Sequence, residues 1–213
     1  MSGESQAPAQ DHGESADGRG RGSVQPGGRE PAPGDLSLVQ AFINTHYDLE
    51  VNHGAELLAT PASARRWMSG HGLLAPTEHV SAEDLIRLRT VREALRALAA
   101  ANGAGLAPPA AIAEINAAAQ GAAVELRFEA KGPRFLPADP GEVDGALGLL
   151  LAITARAMID GAWSRLKVCP GEDCGWAFYD HSRNQTGRWC SMSVCGGRAK
   201  ARAHYRRRRR ESG

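Results

Sequence analysis

The chain has 213 residues, enough for one sizeable core plus a small additional module. Apolar residues make up 42% and aromatics only 5%, an alanine- and glycine-rich balance that leans helical. No run of 18 apolar residues occurs and no apolar stretch follows the first residues, so neither a membrane span nor a secretory signal is expected, and a cytoplasmic protein is the default. The net charge of +1 hides an asymmetry. Residues 181–213 carry ten Lys/Arg against one acid, Glu211, which leaves fifteen basic against twenty-three acidic residues elsewhere. A basic end on an acidic body points to a polyanionic partner for that end alone.

Residues 1–34 are rich in Gly, Pro, Ser and Gln, with Val24 the only large apolar residue after Met1. Such a stretch cannot offset its ordering entropy, and a disordered tail is expected over 1–34. The body is expected over 35–164. Asp35 is placed to cap a helix carrying Leu36, Val39, Phe42 and Ile43 on one face, with Asn44 as its C-terminal cap. Thr60-Pro61 reads as a second helix start, ending at Ser69-Gly70, with Trp67 in the core. His71 and His79 read as isolated loop residues without a metal role.

Ser81 followed by Glu83 and Asp84 starts a third helix. Leu85, Leu88, Val91, Leu95 and Leu98 form its apolar stripe, ending near Asn102-Gly103. Arg87, Arg89, Arg92, Glu93 and Arg96 read as its solvated face. Pro108-Pro109 begins a shorter helix bearing Ile112 and Ile115. Then the period changes. Val124, Leu126 and Phe128 alternate with Glu125, Arg127 and Glu129, which predicts a half-buried strand. A turn at Lys131-Gly132-Pro133 leads into an antiparallel partner over 134–136. Asp139-Pro140 is expected to start the last body helix, apolar nearly all round (Val143, Leu147, Leu150, Leu151, Ile153, Met158, Ile159) and therefore central. Gly161 and Trp163 mark its end.

All four cysteines follow within 27 residues, as Cys169-x₄-Cys174 and Cys190-x₄-Cys195. Two short knuckles about 15–20 residues apart are the usual way to present four thiolates to one tetrahedral Zn²⁺. A disulfide pair would suit a secreted chain, and a redox pair would suit Cys-x₂-Cys near a βαβ unit; neither context is present. His181 could replace one cysteine, at the cost of idling a member of a matched pair. Trp176, Phe178 and Tyr179 supply apolar matter to so small a module. Beyond Cys195, alanines alternate with basic residues in a helix-favouring run that ends in Arg206, Arg207, Arg208, Arg209 and Arg210. A zinc module over 165–205 and a basic tail over 206–213 are expected. With four protein ligands the metal keeps no open position for a substrate. No phosphate loop, metalloprotease motif or assembled nucleophile is present, so no enzymatic activity is expected.

The segment "CPGEDCGWAFYDHSRNQTGRWCSMSVCGGRAKARAHYRRRR" resembles the CGNR zinc-finger family through its cysteine spacing, "WCSM" and "F-x-D-x-S-R". In that family the finger closes a chain whose larger N-terminal part is an ABATE domain, and Asn44-Thr45 is similar to the "NT" near its start. The resemblance covers about 35–208. Gly197 stands where the family has Asn, and Gly187 where a second Arg often precedes Arg188-Trp189. The resemblance implies a stress-induced transcription regulator. The expected fold is mainly α (α+β): a helical body with a small antiparallel hairpin, then a four-cysteine finger and a basic helix. Zn²⁺ is the expected cofactor, held by Cys169, Cys174, Cys190 and Cys195. DNA is the expected partner, met by Arg183, Arg188, Arg198, Lys200, Arg202 and the Arg206–Arg210 run, with Arg198 and Arg202 as candidates for base edges. The body would then be a sensor of an unknown small-molecule ligand or a homodimerisation module. A zinc-stabilised adaptor for RNA or protein is the alternative, since consecutive arginines carry no sequence preference.

Overall fold

The computed structural model describes residues 25–47, 56–122, 124–130, 132–137, 142–172 and 174–211. Residues 1–24 of the tail predicted over 1–34, and the predicted helix start at Asp139-Pro140, lie outside them. Among the described residues six α-helices and two antiparallel hairpins follow in order: α1 (Leu36–Ile43), α2 (Pro61–Gly70), α3 (Ala82–Ala104), α4 (Pro109–Gln120), β1 (Val124–Glu129), β2 (Gly132–Pro137), α5 (Val143–Ile159), β3 (Leu166–Val168), β4 (Ala177–Tyr179) and α6 (Gly197–Glu211). The fold is mainly α, as the sequence implied. None of the described helices is long and apolar enough to cross a membrane.

Local chemistry accounts for most boundaries. Thr60 and Ser63 form a reciprocal capping box at the start of α2, and Ser81 and Asp84 form another at the start of α3. Asp35 occupies the cap position of α1 but makes no side-chain cap bond. Gly161, in the left-handed region at φ 77°, turns the chain out of α5 into a 3₁₀ turn that buries Trp163.

The core lies where α1, α3, α4 and α5 meet. Val39, Phe42 and Ile43 of α1, Leu88 and Leu95 of α3, and Leu147 and Leu150 of α5 are fully buried or nearly so. The α3 stripe falls as its spacing predicts. α5 is central, though Met158 and Ile159 at its C-terminal end are exposed. On α4 the buried residue is Ala111 rather than Ile112. Trp67 packs at the core edge, 5.8 Å from Phe42. His71 is not isolated: it stacks on Trp67 at 4.0 Å and its Nδ1 pairs with the Trp67 carbonyl.

Three further expectations fail. First, the α3 arginines are not a solvated face. Arg92 is 3% exposed and grips the Glu56 carboxylate with two bonds of 2.7 and 2.8 Å. Arg89 donates to the carbonyls of Leu58 and Ala59, and Arg96 to those of Ile43, His46 and Gly175. Carbonyls left by the ends of short elements need donors, and long guanidinium stems reach them. Second, β1 is not half-buried. Only Val124 is partly covered, and every other β1 residue is exposed. Third, residues 25–34 are not part of a disordered tail. They fold across the C-terminal module, with Gln25 and Ala32 buried.

Candidate functional site

The second hairpin makes the site. β3 and β4 pair Leu166 with Tyr179, Lys167 with Phe178 and Val168 with Ala177. Side chains alternate along β4. Ala177 and Tyr179 therefore enter the body core, while Trp176 and Phe178 enter a second cluster with the cysteines. One three-residue strand seams two cores.

Beyond the hairpin ends the knuckles converge. Cys169, Cys174, Cys190 and Cys195 are all buried, none forms a disulfide, and their four Sγ atoms lie within 4.8 Å of one another. The Cys174–Cys190 and Cys190–Cys195 sulfur pairs are 3.6 Å apart. Tetrahedral ligands at the usual Zn–S bond length stand roughly 3.8 Å apart, so the geometry fits one zinc. Soft sulfur donors select zinc over hard cations. A Cβ built at Gly171 would sit 3.3 Å from Cys195 Sγ and 3.5 Å from Cys169 Sγ, so the bare glycine leaves room for the sulfurs to meet. Hydrogen bonds from Cys174 and Cys190 hold the Cys169 thiol low, and the bond to Cys169 pushes Cys174 and Cys190 up. One thiolate thus opposes the next, and a divalent cation is what reconciles four of them. His181 is not a ligand; its Nε2 faces the carbonyls of Glu30 and Pro31.

Several supports for the centre were invisible as such in the sequence. Asn44 caps α1, as its position suggests, but its buried side chain also grips Ala177: Oδ1 accepts from the Ala177 N–H at 2.7 Å and Nδ2 donates to its carbonyl at 2.8 Å. Arg96 ties α3 to Gly175. Arg29 donates to the carbonyls of Cys190 and Trp189 and lies 4.9 Å over the Phe178 ring. Trp176 Nε1 donates to Gln25 Oε1. Each side chain meets its partner across more than 70 residues, so no local signal could have found it.

Asp180 organises the loop between the knuckles. It accepts from Lys167 Nζ at 2.8 Å, Ser182 Oγ at 2.6 Å and the Gly187 N–H at 2.7 Å. Burial opposes its ionisation, but these donors outweigh burial and hold the carboxyl well below the ordinary range. Gly187 is therefore required as glycine: a Cβ there would lie 2.7 Å from Asp180 Oδ1 and 2.8 Å from Cγ. We expect Gly187→Ala to cost about 1–3 kcal/mol, seen as a lower thermal midpoint of the zinc-loaded protein. Gly197→Asn is expected to leave it unchanged, since a Cβ there meets only the Met192 carbonyl, at an ordinary 3.5 Å.

The basic residues fall in two groups. Arg183 and Arg188 are exposed on the Asp180–Cys190 loop, with the Arg188 guanidinium 5.2 Å over the Trp189 ring. Arg198, Lys200, Arg202 and Arg206–Arg210 all lie on α6, which continues to Glu211 rather than giving way to a tail after Tyr205. The Arg202 guanidinium is 3.5 Å from the Glu172 carboxylate. α6 grows from the π-turn Met192–Gly196, which contains the last ligand Cys195.

Comparison with known proteins agrees with this geometry. No curated protein matches the chain significantly. The CGNR zinc finger model matches residues 165–208, and the ABATE model, described as "Putative stress-induced transcription regulator", matches residues 36–162. Neither describes an enzyme family. With more than half of its length matched by the latter and its four cysteines gathered at one point in the former, the chain belongs to the ABATE family and ends in a CGNR zinc finger.

Proposed function

We propose that the protein is a DNA-binding transcription regulator working in the cytoplasm. The finger (165–205) and α6 engage DNA, and the body (35–164) serves as a sensor or dimerisation module. The supporting observation is that α6 leaves directly from the turn holding Cys195, so the metal fixes the direction of a helix bearing eight of the ten basic C-terminal residues. A helix of this diameter fits the major groove of a duplex, and its arginines match phosphates and guanine edges. The metal is structural; its four thiolates stay in place throughout. Arg198 and Arg202 share a face four residues apart near the rigid root of the helix and are the candidates for base contacts. Arg183 and Arg188 add phosphate contacts from the loop. The test is binding to DNA and RNA duplexes of equal length at matched salt. Tighter binding to DNA, weakening steeply with salt, is the expected result. Equal or tighter binding to RNA overturns it in favour of an RNA adaptor, and no binding to either in favour of a protein adaptor.

A further inference from the structure

The β1–β2 hairpin has two edges of unlike character. β2 carries Pro133 and Pro137, which lack N–H groups and blunt that edge against further pairing. β1 contains no proline, and among the described residues it pairs only with β2. Among the described residues its outer edge has no partner strand. Its faces are also unfinished. A Cβ at Gly148 would lie 3.1 Å from Val124 Cγ2, so Val124 packs on α5. Leu126 and Phe128 project on the same side by alternation, yet they are 52% and 77% exposed. On the other side Arg127 stands directly opposite Arg134; Arg127 reaches Glu125 of its own strand at 3.4 Å and Arg134 reaches Glu129 at 3.5 Å, exposed pairs that an acid from a second copy can replace.

The β1 sequence satisfies these needs when it meets itself. Antiparallel pairing of two β1 strands about a two-fold axis at Leu126 places Val124 opposite Phe128 of the second copy. It also places Glu125 opposite Arg127 of the second copy, and each pair occurs twice. Phe128 then lands beside the other copy's hairpin root, where Val124 already meets α5. The neighbouring register, centred on Arg127, sets Arg127 against itself and Glu125 against Glu129, so like charges exclude it. A slip by one residue puts apolar side chains opposite charged ones on both faces. We infer that the protein forms a two-fold dimer by joining β1 strands edge to edge, giving a four-stranded sheet ordered β2-β1-β1-β2. Closing an open edge on an identical edge is an isologous contact, which stops at two copies.

This deepens the dimerisation half of the proposed role and rests on it. Its readout is mass in the absence of nucleic acid, so its failure leaves DNA binding by α6 untouched. The experiment uses the zinc-loaded full chain in a dilution series followed by sedimentation. The wild type is expected to reach twice the 22.5 kDa chain mass at the concentrated end. Glu125→Arg and Arg127→Glu should each be monomeric, because each sets like charges across the axis. Mixed in equal amounts, the two variants should pair with each other, and the double exchange in one chain should dimerise again. A merely structural loss would not be restored by mixing. A wild type monomeric throughout, single variants that still dimerise, or a mixture that stays monomeric would each overturn the inference.

Discussion

Stripping the metal is expected to unfold the finger while most of the body's helical signal survives. Metal binding supplies the folding energy of such modules, with apparent values of about 10–16 kcal/mol for structural zinc in isolated finger peptides. The second cluster has little apolar matter of its own: four cysteines with Trp176 and Phe178, and Tyr47, Trp189 and Val194 at its edge. The body keeps its own core of α1, α3, α4 and α5 residues. The loss should nonetheless cross the seam. Without the knuckles, β4 keeps only its body-facing contacts, Ala177 on Asn44 and Tyr179 in the core, and loses the packing of Trp176 and Phe178 on its other side, which weakens the hairpin and the Arg96 bond to Gly175. Hydrogen exchange after chelation should therefore show lost protection across β3, β4 and the Gln25–Ala32 strap, with α3 and α5 still protected. Cys190→Ser should behave alike without a chelator. A chelated protein that loses all its helical signal in one step would show that the two cores fold as one.

Deleting residues 206–213 is expected to weaken binding to every DNA sequence alike, whereas Arg198→Ala should weaken binding mainly to a preferred site. The helical form of the Arg206–Arg210 run sets the size of the first effect. Five consecutive helical positions, each turned by about 100°, cover the whole circumference, so roughly half can face one duplex at a time. The salt slope should thus flatten by about 0.9 for each of roughly two or three contacts rather than for five. Arg198 is the second residue of α6, directly after the metal-held π-turn, and has less freedom. Its loss should cost about 1–3 kcal/mol on a preferred site and far less on random duplex, if it reads a base. Binding isotherms with both duplexes over a salt series separate the two. Equal losses on both would make Arg198 another phosphate contact and move specificity elsewhere.

What the sequence carried on its own was whatever depends on near neighbours. Helix starts at Thr60 and Ser81, the α3 stripe, the switch to period two at Val124 and the cysteine spacing are local patterns, and each produced the element or cluster it implied. The metal centre was the most legible part, because ligand type and spacing nearly define it. Burial of charge was not legible. Arg92, Arg96 and Arg29 look like any solvated arginines, and only the fold shows which distant carbonyls and carboxylates were waiting for donors. The same holds in reverse for Leu126 and Phe128, whose alternation foretold a strand but not the absence of a described cover. Spacing along the chain decides which groups can form a helix, a strand or a knuckle. Which of them ends up inside depends on partners brought together by the tertiary fold, and there the tertiary structure alone decided.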